Sequence, residues 1–100
     1  MRSDLVIEKL RKAEPSLRAL GVCGAALFGS TARGEDSEDS DIDIAVQPEG
    51  DAPLLPLTLI SIHGVLADAL GHGSPIDVVV LPAREAALNE AIRRDGLRAF

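Results

Sequence analysis

With 100 residues, 46% of them hydrophobic, the chain has room for one domain with one modest core and too little interior to hide all of its apolar surface. A net charge of -6, no Trp or Tyr, and only Phe28 and Phe100 as aromatics argue against direct nucleic-acid binding, which needs a basic surface and stacking platforms. Cys23 is the sole cysteine, so an internal disulfide is excluded and a reducing compartment, the cytoplasm, is expected. The opening MRSDLVIEKL meets charged residues too early for a signal peptide. Part of the surplus apolar surface is expected to meet a partner.

In chain order, Ser3 or Asp4 can cap a first helix running to about Lys12, with Leu5 and Leu10 on its apolar side. Pro15 kinks it or starts a second short helix to Leu20, and Gly21 supplies the stop. VCGAALF, residues 22–28, reads as a short buried strand ending at Gly29. Thr31 to Ser40 form a polar loop with room for one helical turn. DIDIAV, residues 41–46, is a second strand.

PLLPLTLISIHGVLADALG, residues 53–71, is about long enough for a membrane span, but Pro56, His63, Gly64 and Asp68 interrupt it, so a packed helix is the better reading. Leu55, Leu59, Ile62 and Leu66 can form one apolar stripe on it, with Leu54, Leu57 and Val65 on another side. One stripe covers the sheet; the other binds a partner or is sandwiched within the chain itself. PIDVVVLP, residues 75–82, is a third strand bounded by prolines, and AREAALNEAIRRDG, residues 83–96, closes as a helix. The fold class is therefore α/β (α+β): one domain over residues 1–100, order α-β-β-α-β-α, with a small mixed sheet of about three strands flanked by helices.

That order has a consequence for the acidic residues. Antiparallel pairing of the first two strands brings Gly29 and Ser30 beside Asp41. A right-handed crossover to a third strand parallel to the second brings Asp77 toward Asp41 and Asp43. Alternation puts Asp41 and Asp43 on one face, while Ile42 and Ile44 enter the core on the other. Side-by-side carboxylates are costly without a cation between them, and Asp77 sits among Ile76, Val78, Val79 and Val80. Three converging acids suit Mg2+, which takes oxygen ligands and leaves positions for water and phosphate. A pair of such ions can activate an attacking oxygen and stabilise a leaving pyrophosphate.

Blander readings hold for the neighbours. Glu35, Asp36, Glu38 and Asp39 read as a solvated loop. An EF-hand calcium loop would need Gly at its sixth place and Glu at its twelfth, where Ile44 and Gly50 stand. His63 reads as a packed or hydrogen-bonded histidine, Cys23 as strand filler, and Arg93, Arg94 and Arg98 as helix-end charge compensation. Neither the lysine-bearing phosphate loop nor the G-x-G-x-x-G fingerprint is present.

Gly29-Ser30, ten intervening residues, then Asp41-Ile42-Asp43 resembles the signature of the DNA polymerase β-like nucleotidyltransferase superfamily. GSTARG with SDIDIAV resembles its smallest branch, the minimal nucleotidyltransferase proteins that pair with HEPN-domain toxins as antitoxins, and SPIDVVV matches its third-carboxylate strand. The resemblance implies the polymerase β-like nucleotidyltransferase fold. It implies that Gly29 and Ser30 hold the phosphates of ATP while Asp41 and Asp43 bind Mg2+. Asp77 completes the metal site or helps deprotonate the incoming hydroxyl. Arg33 matches the family's ARG position and either steadies a phosphate or pairs with the acidic loop. The implied reaction attaches AMP to a hydroxyl, expected to be a tyrosine of a partner HEPN-type toxin, and releases pyrophosphate. With no tyrosine the chain cannot modify itself there. The alternatives are a non-catalytic antitoxin that neutralises its partner by contact alone, and transfer to a small molecule or an RNA end.

Overall fold

The computed structural model describes residues 3–32, 41–50, 54–71, 75–82 and 86–100. Helix α1 (Ser3–Lys12) turns Val6 and Leu10, one helical turn apart, into the core. Leu5 faces outward at 42% exposure, so the apolar side is set by Val6 and Leu10 rather than by Leu5. Helix α2 (Glu14–Ala19) carries Pro15 in its first turn, where a missing N–H does no harm, and buries Leu17. Gly21, at φ 91°, then turns the chain into the sheet.

Strand β1 (Val22–Phe28) runs into a single-turn helix, α3 (Gly29–Ala32). Strand β2 (Ile42–Pro48), helix α4 (Pro56–Leu70), strand β3 (Ile76–Val80), helix α5 (Ala86–Asp95) and the two-residue strand β4 (Leu97–Arg98) follow. The strand order is β3-β2-β1-β4. β1 pairs antiparallel with β2 and β4, and β2 pairs parallel with β3, as expected for a crossover through α4.

Alternation along the strands sorts the apolar side chains to two faces. Val22, Leu27, Ile42, Ile44 and Val46 pack against Val6, Leu10 and Leu17 from the first two helices and Ile62, Leu66 and Leu70 from α4. On the opposite face Phe28 and Ala45 pack with Ile92 of α5, flanked by Val79, Leu81 and Leu88. The side chains of Asp43 and Asp77 fall in the second set of alternate positions, so they belong to the α5 face.

Two local expectations change. The sheet has four strands rather than about three. β4 is two residues long, too short for any alternation to be visible, and it forms because β1 offers a free edge: Ala99 N–H donates to Ala25 O at 2.8 Å and Ala25 N–H to Phe100 O at 3.2 Å. The long helix begins at Pro56 because a residue before proline is pushed into extended backbone, and Leu55 takes ψ 152°. Leu55 therefore lies outside the helix, 68% exposed, and is not part of the inward stripe. Ile62, Leu66 and Leu70 form that stripe with Leu59, while Leu54 and Val65 also pack on the core. Among the described residues no helix is long and apolar enough to cross a membrane.

Leu66 is fully buried at the centre of the α4 contact with the sheet. Leu66→Ala is expected to lower stability by about 2–5 kcal/mol, read from the urea midpoint with an unchanged slope.

Candidate active site

The site is built where β1 ends and β2 and β3 begin. The register places Phe28 opposite Asp43 and Asp43 directly opposite Asp77. In-register neighbours on parallel strands share a face and stand about 4.8 Å apart across the ladder, so two carboxylates rise side by side from adjacent backbones. Such a pair resists simultaneous ionisation unless a cation or a donor stands between its members. Asp43 is half-buried, and Asp77 is exposed on the outermost strand. Asp41 immediately precedes β2, exposed, at the position whose alternation matches Asp43.

Gly29 closes the other side. It has φ 76°, a conformation disfavoured for any residue with a Cβ. A methyl group built on it would overlap Asp43 Oδ2 and lie 3.0 Å from Cγ and 3.3 Å from Cβ of the same side chain. Glycine is thus required twice, by the backbone angle and by the carboxylate lying against its Cα. The Gly-Ser turn and the D-x-D motif, kept apart in sequence by the ten residues between Ser30 and Asp41, meet in space through Gly29 and Asp43. Ile42, between the two acids of the motif, points the other way and is buried in the core.

The structure therefore brings together Gly29, Asp43 and Asp77, with Asp41 at the mouth. Ser30 follows Gly29 in α3, but its side chain and the whole of Arg33 lie outside the described residues. So do the loop acids Glu35, Asp36, Glu38 and Asp39. Among the described residues no three His, Cys, Asp or Glu side chains are already gathered closely enough to enclose a metal ion. The donor set still fits Mg2+, which is commonly held by one or two carboxylates together with substrate phosphates rather than by a cage made wholly of protein.

The residues given blander readings behave accordingly. His63 Nε2 lies 3.3 Å from Ile76 O, a hydrogen bond when that nitrogen carries the proton. Arg93 pairs with Glu90, and Arg94 with Asp95, whose hydrogen bond and charge raise the Arg94 pKa above its ordinary value. Arg98 stands exposed on β4.

Two hollows were not legible in the sequence. One, of about 340 Å³, opens on the α5 face over the small residues Gly24, Ala26 and Ala45, with Gln47, Ile92 and Arg98 around it. It begins one level beyond Phe28 and Asp43, so it is not the carboxylates' own pocket. The other, of about 430 Å³, runs between α4 and the outer edge of β3 and includes Asp77 in its wall. Both join residues distant in sequence, and periodicity carries no signal for them.

Residues 8–98 match the family described as polymerase beta, nucleotidyltransferase. A Methanocaldococcus jannaschii protein named "Putative protein adenylyltransferase" is 38% identical over 87 residues, covering 82% of this chain and 89% of that protein. A crystal structure of a toxin-antitoxin with AMP-PNP superposes with a TM-score of 0.71 at 27% identity, over 94% of this chain and 72% of that chain. The complex of tri-AMPylated Shewanella oneidensis HEPN toxin with MNT antitoxin superposes with a TM-score of 0.64 at 25% identity, over 97% of this chain and 71% of that chain.

Proposed function

The chain belongs to the polymerase beta nucleotidyltransferase family, and from that membership we propose that it transfers AMP from ATP to a hydroxyl of a separate protein, a HEPN-type toxin, and so acts as its antitoxin in the cytoplasm. The observation that carries the reading is the in-register pair Asp43 and Asp77 held against Gly29. The similar structures that contain AMP-PNP or an AMPylated HEPN toxin support ATP as donor and a HEPN protein as acceptor. A tyrosine is the proposed acceptor residue, supplied by the partner because this chain has none.

Asp43 and Asp77, with Asp41, are the residues that would hold Mg2+, and when bound the ion supplies positive charge to the phosphates and the leaving pyrophosphate. The Gly29 turn lets the backbone approach a phosphate closely, with Ser30 and Arg33 as further phosphate contacts. The acceptor hydroxyl oxygen forms a bond to the α-phosphorus as the bond from that phosphorus to the bridging oxygen breaks. Pyrophosphate departs with that electron pair, and the hydroxyl proton passes to a neighbouring carboxylate, for which exposed Asp77 is the accessible choice.

The test is incubation with labelled ATP, Mg2+ and the protein encoded next to this chain. Label is expected on that protein, is expected to vanish with a chelator, and is expected to be lost in the Asp41→Asn, Asp43→Asn double variant. Unchanged neutralisation of the partner by the double variant would instead make the chain a binding module.

A further inference from the structure

We propose that the groove between α4 and the outer edge of β3 is the docking surface for the protein acceptor, taking an apolar segment that flanks its target hydroxyl. The inference rests on the transfer reaction proposed above. Strand β3 ends the sheet, and among the described residues no strand pairs with its outer edge. Ile76 O points out of the sheet there, toward His63, whereas Leu81 N–H points inward to Val46 O. By alternation the backbone groups of Val78 and Val80 face outward with those of Ile76.

The wall facing this edge is apolar and, among the described residues, uncovered. Leu57 is 77% exposed and Ile60 68%, and their i, i+3 spacing puts them on one side of α4. Leu59, Ile60 and His63 face Ile76, Val78 and Val80 across the hollow. One turn beyond Ile60, Gly64 has open space where a side chain would stand, so the helix surface stays low and another chain can approach. A single exposed leucine is ordinary, whereas a cluster beside a groove marks an interaction surface.

The occupant follows from the site. Asp77 belongs to the groove wall and is also the register partner of Asp43. A segment lying in the groove therefore ends beside the carboxylates, where its hydroxyl must arrive. Among the described residues lining the groove Asp77 is the one acidic side chain and there is no Lys or Arg, which fits an apolar segment better than an acidic one.

The experiment compares the wild-type chain with Leu57→Asp/Ile60→Asp and with the milder Leu57→Ser/Ile60→Ser, using the protein encoded by the adjacent gene as probe. Calorimetric binding is measured without ATP, so the surface is tested even if no AMP is transferred. The aspartate variant is expected to weaken binding at least tenfold and the serine variant severalfold. KM for the protein acceptor is expected to rise in step, with KM for ATP within twofold and melting curves unchanged. Wild-type binding by both variants overturns the proposal. So does a wild-type chain that dimerises alone and becomes monomeric on substitution, since the occupant would then be a second copy. Absence of transfer by wild type with the binding loss intact defeats the reaction and leaves the surface standing.

Discussion

Asp43→Asn is expected to lower AMP transfer on the order of a thousandfold, the scale of losing a central charged group from a preorganised site. The substitution keeps the side chain's size and removes only its charge. Asp43 is central: it stands opposite Asp77 on one side and against Gly29 on the other. Asp41, exposed before the strand begins, has neither contact in its favour, and Asp41→Asn is expected to cost less. Stability should be unchanged or slightly higher in Asp43→Asn, because one of two adjacent like charges is gone. Steady-state transfer across a Mg2+ titration, alongside a melting curve, checks this. Full activity with an unaltered Mg2+ requirement would remove Asp43 from the site.

Gly29→Ala is expected to reduce transfer by about a hundredfold or more and to destabilise the fold by about 1–3 kcal/mol. Two causes add: a positive φ that a Cβ penalises, and collision with the Asp43 carboxylate. They separate by comparison with Gly50→Ala. Gly50 has nearly the same φ, 75°, but a Cβ there meets nothing within 4 Å. Gly50→Ala should therefore show the backbone cost with normal transfer, while Gly29→Ala shows the cost and the loss together. Equal activities in the two variants would mean that the Gly29 contact with Asp43 has no part in the reaction.

Much of this was readable from residue order because it depends on local rules. VCGAALF and PIDVVVLP are apolar runs bounded by glycine or proline, and both are strands. The D-x-D spacing fixes which side chains share a face, since a strand alternates strictly. Proline and glycine marked where the second helix begins and where it stops.

What residue order determined, then, was the set of longer strands and helices, the face on which Asp43 lies, and the family signature of Gly29, Ser30, Asp41 and Asp43. Only the tertiary structure decided the register that sets Asp43 opposite Asp77, the contact of Gly29 with the Asp43 carboxylate, and the short β4 strand. It also decided which apolar residues in and around α4 stay outside, leaving Leu57 and Ile60 exposed while Val65 and Leu54 turned inward. The physical reason is range: side-chain alternation and helix termination depend on neighbours a few residues away, whereas register, edge pairing and burial depend on which distant surface arrives to cover each residue.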